Sequence, residues 1–138
     1  MSVEENKKVV LHMLDCLSNG KLDEMLACMN EDATWQVPLA SDSIPGLKGA
    51  KAKPQFEAQC RAFGTVVPNG VRMVVKGVTA EGDRVAVEAE CYAVTARGQN
   101  YNNLYHFLFK MKNGKVQAAY EYCDLLLVKE TLGWAFEA

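Results

Sequence analysis

The apolar positions of the chain change period near Gly64. Before it they recur at intervals of three and four, the spacing that gathers side chains on one face of a helix. Val10, Met13, Leu14 and Leu17 form such a stripe over residues 3–18, and Asn19-Gly20 closes that helix as a C-terminal cap. Residues 21–29 repeat the pattern over a shorter span, with Leu22, Met25, Leu26 and Met29 together. Residues 33–37 read as a short strand stopped by Pro38, and residues 39–49 as a loop rich in Ser, Asp, Pro and Gly. A third helix is predicted from about 50 to 63, with Pro54 accommodated in its first turn and Phe56, Cys60 and Phe63 sharing a face.

After Gly64 the period is two, which is the signature of strands. Strands are predicted over 71–78 and 84–95, separated by the Glu81-Gly82-Asp83 turn. Within 84–95, Val85, Val87, Ala89, Cys91 and Ala93 fall on one side and Glu88, Glu90 and Tyr92 on the other. Arg97-Gly98-Gln99 then turns the chain into residues 101–124, YNNLYHFLFKMKNGKVQAAYEYCD, which read as a long hairpin about Asn113-Gly114. Residues 125–133 fit either a short helix or an extended edge.

The hairpin has two readings. A two-residue loop pairs Lys112 with Lys115 and sets Asp124 beside Asn103. A three-residue loop with Gly114 as a bulge pairs Met111 with Lys115 and sets Glu121 beside Tyr105. A slip of one residue sends every side chain to the other face, so the register decides whether Glu121 or Asp124 points inward.

Helices first and antiparallel strands after them predict an α+β domain. Four long strands would make a curved, mainly antiparallel sheet, with the three N-terminal helices on its concave face and a blind pocket between the layers. Trp35, Phe56, Phe63, Tyr92 and Tyr105 are its expected lining. At 138 residues the chain is expected to be one domain, 1–138.

Composition narrows the function classes. Hydrophobic content of 49% and charged content of 23% are ordinary for a soluble chain. A net charge of −2 with no basic stripe argues against nucleic acid and anionic membrane as partners. The charged start MSVEENKK does not read as a signal peptide, and no apolar run approaches spanning length. Five scattered cysteines fit reduced thiols in a cytoplasmic protein. No nucleophilic triad, phosphate-cradling loop or His/Cys metal cluster is visible, so neither cofactor nor metal is expected.

Residues 9–38, VVLHMLDCLSNGKLDEMLACMNEDATWQVP, and residues 101–124, with the PGLKG loop between them, resemble the nuclear transport factor 2-like superfamily. That superfamily is a cone-shaped α+β roll that includes ketosteroid isomerase, limonene epoxide hydrolase and the SnoaL-type polyketide cyclases. The resemblance covers nearly the whole chain and speaks to fold more than to activity. The isomerase's base would fall at Val37 and its oxyanion tyrosine at Met13, so its acid–base pair is absent and isomerase activity is not expected. The epoxide hydrolase relay would fall at Glu90, Glu88 and Glu121, with helper positions at Trp35 and Val37, and an acid stands where that relay has arginine. The cyclases place an acid near Glu121. Both comparisons favour the bulged register, with Glu121, Tyr105 and Asn103 inward.

The candidate catalytic residues are therefore Glu121, Glu90 and Glu88. The candidate ligand-binding residues are Trp35, Tyr92, Asn103, Tyr105, Phe56, Phe63 and Met13. Three carboxylates in one pocket would oppose one another's ionisation, leaving a proton donor beside an acceptor. The resulting expectation is a cofactor-independent acid–base enzyme of isomerase, cyclase, dehydratase or epoxide-hydrolase type, acting on a small, mostly apolar metabolite. The alternative is a protein that binds such a ligand without turnover, or a dimeric scaffold. Asp124 reads as a strand-end residue capping the tail, His12 as an exposed helix residue, and His106 as facing away from the pocket. A homodimer is expected, on the ground that the Val85, Val87, Ala89, Cys91 face would lie uncovered beside Leu104, His106 and Leu108.

Overall fold

The computed structural model describes residues 2–135. Helix α1 (Val3–Ser18) begins at Ser2, whose hydroxyl accepts the Glu5 N–H at 3.1 Å, and buries Val10, Met13 and Leu14. The chain reverses through Gly20 in the left-handed region (φ 70°), which a side-chain-bearing residue adopts only with strain, and enters α2 (Leu22–Ala27). Strand β1 (Met29–Gln36) begins four residues earlier than its apolar pattern suggests, because Asn30, Glu31 and Asp32 lie within it. A two-residue strand β2 (Lys51–Ala52) pairs antiparallel with Thr34 and Trp35. That pairing holds Lys51 and Ala52 extended and delays α3 (Lys53–Val66) by three residues. Strands β3 (Val71–Glu81), β4 (Arg84–Val94), β5 (Asn100–Lys112) and β6 (Lys115–Cys123) follow, and the tail is the helix α4 (Leu125–Leu132).

The six strands form one curved sheet in the order β2-β1-β6-β5-β4-β3, antiparallel except where β1 runs parallel to β6. Alternation fixes which face is covered. Val85, Val87, Ala89, Cys91 and Ala93 of β4 pair with Phe109, Phe107, Tyr105, Asn103 and Tyr101 of β5, and all of these point to the concave side with the helices. The apolar face on which the homodimer expectation rested is therefore core, closed by this domain's own helices. The convex side carries Glu88, Glu90, Tyr92, Leu104 and His106 instead. The expected arrangement was reversed because the five apolar side chains of β4 gain from burial, whereas the acidic row would be costly to take out of water.

The hairpin combines features of both readings. Its turn is the two-residue form, with Lys112 opposite Lys115, and Asn113 and Gly114 both at positive φ (53° and 76°). The register then shifts: Met111 pairs with Val116 but Lys110 pairs with Ala118, so Gln117 is an extra residue in β6. Past this bulge Glu121 lies opposite Phe107 and Tyr105 opposite Cys123. Glu121 therefore faces the helices, as the other reading has it, although its partner is Phe107 and not Tyr105. The Gln117 amide is gripped by β1, accepting from Asn30 Nδ2 at 2.9 Å and donating to Asp32 Oδ1 at 3.2 Å. All five cysteines are free, and no described helix is long and apolar enough to cross a membrane.

Candidate functional site

A cavity of about 500 Å³ lies between the helices and the concave face of the sheet. The α1–α2 junction supplies Leu17, Leu22 and Met25, α3 supplies Phe56, Gln59, Cys60 and Phe63, and α4 supplies Val128 and Leu132. The sheet contributes Trp35, Cys91, Tyr101, Tyr105, Phe107 and Glu121. The wall is mostly apolar, with a few polar groups converging on it, as small-molecule sites usually are.

Glu121 is the acid in that wall. Trp35 Nε1 donates to its Oε1 at 3.0 Å, which fixes the carboxyl and leaves Oε2 free of that bond. The indole is itself immobilised, stacked on Phe56 at 4.3 Å and 9° and met edge-on by Phe107 and Phe109. Burial raises the Glu121 carboxyl to about 7, against the smaller opposing effect of the Trp35 hydrogen bond, which favours the anion. At neutral pH the group is thus divided between acid and base.

A second polar string runs from Asp124 through Asn103 to the tyrosines of the cavity wall. Asn103, 3% exposed, accepts the Asp124 N–H on Oδ1 at 3.1 Å and donates from Nδ2 to the Asp124 carbonyl at 3.1 Å. Those two bonds fix its amide orientation. Nδ2 also donates to the Tyr101 hydroxyl oxygen at 2.9 Å. Tyr101 and Tyr105 share a hydroxyl–hydroxyl bond of 2.5 Å. Either hydroxyl can be the donor in that pair, and whichever donates, the other phenol keeps a proton that can be donated onward. Burial holds both phenols above their ordinary range, so they act as neutral donors. Burial likewise pushes the Cys60, Cys91 and Cys123 thiols up to about 12, which keeps them unreactive.

Of the residues singled out from sequence, Glu121, Trp35, Tyr105, Phe56 and Phe63 come together on the cavity. Asn103 lies behind it and aligns Tyr101, while Met13 is wholly buried in the core beneath α1. Glu88, Glu90 and Tyr92 lie on the convex face, so the three-acid cluster does not form. Glu90 there accepts a hydrogen bond from Tyr92, which with the Lys76 ammonium at 3.4 Å holds its carboxyl below the ordinary range. Asp124 caps α4, accepting the Leu127 N–H at 3.2 Å. Tyr101, Gln59, Lys21 and Arg61 border the cavity without having been singled out as site residues. The signal for Tyr101 was its period-two relation to Tyr105, whereas the helix residues carry none.

The family model for the SnoaL-like domain matches residues 10–119. No curated protein matches the chain significantly. Solved structures share its fold closely. A protein from a soil-derived mobile gene cassette is 23% identical, with a TM-score of 0.81 over 94% of this chain and 97% of that one. A putative SnoaL-like polyketide cyclase from Jannaschia sp. is 22% identical, with a TM-score of 0.77 over 94% and 92%. An epoxide hydrolase of M. tuberculosis, similar to limonene epoxide hydrolase, is 17% identical, with a TM-score of 0.75 over 94% and 91%.

Proposed function

The chain belongs to the SnoaL-like domain family, and from that premise we propose that it is a cofactor-independent acid–base enzyme acting on a small, mostly apolar metabolite. One observation carries this reading: among the described residues Glu121 is the one carboxyl in the wall of an aromatic cavity, where burial raises it to about 7. A proton-transfer group is most effective when its pKa lies near the working pH. The neighbouring folds named as a polyketide cyclase and an epoxide hydrolase accord with chemistry of that kind.

Glu121 takes or delivers the proton from Oε2, while Trp35 holds Oε1 in place. The Asn103–Tyr101–Tyr105 string supplies a neutral donor for an oxygen on the substrate, so negative charge developing there is stabilised by a preorganised hydrogen bond. The stacked Trp35 and Phe56 and the Tyr105–Phe107 pair, 5.3 Å apart, give the apolar body of the substrate flat surfaces.

The test is Glu121→Gln, which keeps shape and removes titration. Turnover of a substrate found by screening carbonyl and epoxide compounds should fall at least about a hundredfold, the scale of one general acid or base, with binding little changed. Turnover that survives the substitution, or a wild-type protein that binds such compounds and turns over none, overturns the enzymatic reading.

A further inference from the structure

We propose that His12, Cys16 and Glu24 form a site for a divalent cation of the zinc class, tying α1 to α2 beside the cavity. His12 and Cys16 are one helical turn apart and share a face of α1. His12 Nε2 lies 3.5 Å from Cys16 Sγ. Glu24 arrives from the second helix. The reversal at Gly20, with Lys21 N–H donating to the Cys16 carbonyl at 2.9 Å, folds α2 back so that Glu24 Oε2 lies 3.9 Å from the same sulfur. The three ligand atoms lie within 4.8 Å of one another.

Those separations suit a tetrahedral ion. With nitrogen at about 2.0–2.1 Å, sulfur at about 2.3 Å and carboxylate oxygen at about 2.0–2.2 Å, neighbouring ligand atoms are roughly 3.3–3.7 Å apart. The His–Cys pair already has that spacing, and Glu24 reaches it by a small side-chain rotation. One imidazole, one thiolate and one carboxylate select zinc-like ions over calcium or magnesium, which take all-oxygen sets. Thiolate and carboxylate together balance the two positive charges. His12 and Glu24 are exposed while Cys16 is 1% exposed, so the ion has an entry path and its fourth position opens to water. On binding, the Cys16 thiol gives its proton to solvent and the metal takes its place on sulfur. Among the described residues, His12 and Glu24 are the side chains at hydrogen-bond distance from this sulfur.

The experiment uses the full chain, reduced and metal-free, titrated with Co²⁺ and then Zn²⁺. One equivalent of Co²⁺ should give a thiolate-to-cobalt charge-transfer band and visible bands of four-coordinate strength, both removed by Zn²⁺. His12→Gln and Glu24→Gln change exposed residues and leave the fold intact. Each should weaken binding at least about tenfold, the scale that even supporting groups reach at metal sites. Cys16→Ser should abolish the charge-transfer band, with circular dichroism confirming that the variant is folded. Absence of the band at excess Co²⁺ refutes the site. So does a band that persists at unchanged affinity in the His12 and Glu24 variants, which would assign it to another cysteine.

Discussion

Replacing Glu121 by Gln should make the protein more stable at alkaline pH and leave it unchanged in acid. The folded carboxyl titrates near 7, and its ordinary value is 4.5. Below 4.5 the group is protonated in both states, and folding is indifferent to pH through it. Between 4.5 and 7 the unfolded chain releases the proton while the folded one keeps it. The folded state then binds more protons, so stability falls as pH rises. Above 7 the folded group ionises too and the loss levels off. A displacement from 4.5 to about 7, at 1.36 kcal/mol per pH unit, amounts to about 3 kcal/mol. Glutamine still accepts the Trp35 N–H and never ionises, so it escapes that loss. Urea unfolding of both proteins from pH 4 to 9 measures the difference. It should be near zero at the acid end, grow through neutrality, and reach a plateau of about 3 kcal/mol in favour of the variant. A difference that does not vary with pH would mean that Glu121 is solvated like any surface carboxylate, and the account of the cavity would fail with it.

Trp35→Phe removes the hydrogen bond that favours the Glu121 anion, so the carboxyl should titrate higher still and the pH-dependent loss of stability should extend further above 7. The buried indole is also lost from its stack on Phe56, at a cost of about 1–3 kcal/mol. An unmoved pH profile would show that the bond does not act on the titration. Asp124→Ala should cost about 0.5–2 kcal/mol by uncapping α4, seen as a lower urea midpoint at constant slope. Asp124→Ser restores the cap without the acid, so stability and turnover should both stay close to wild type. A collapse of turnover in that variant would move the acid role to Asp124.

The sequence was legible where one interaction dominates. The α1 stripe fixes that helix over its full length because its packing depends on a single apolar face. The order of strands after Gly64 followed from their alternation. It was less legible where neighbours decide. Asn30, Glu31 and Asp32 hide the start of β1, since that end is anchored by Met29 opposite Val116 and by Asn30 donating to the Lys112 carbonyl and the Gln117 amide, contacts that no side-chain pattern advertises. Glu88 and Glu90 were drawn inward by resemblance, although the plain alternation of β4 put its apolar side against the helices. Glu121 is inward through a bulge that neither turn geometry foretold, because Gln117 is held out of register by Asn30 and Asp32, which lie far from it in sequence. His12 and Cys16 stand one helical turn apart but were not singled out as a pair from sequence, because the third member of the cluster depends on how the next helix folds back.

Gln117 sets the reading frame of β6. A strand has two frames, and an insertion of one residue exchanges them for everything downstream. In the present frame Glu121 and Cys123 look toward the helices, with Tyr120 and Tyr122 on the other side. A deletion at position 117 would restore unbroken pairing from the turn and swap those sets, putting two phenols where the carboxyl is and the carboxyl in water. No residue of the cavity wall would be altered in identity. Relatives of this chain that differ by one residue between Lys115 and Ala118 would thus carry the same letters over 119–123 and a different chemistry. Aligned by sequence alone, they would be taken for the same protein.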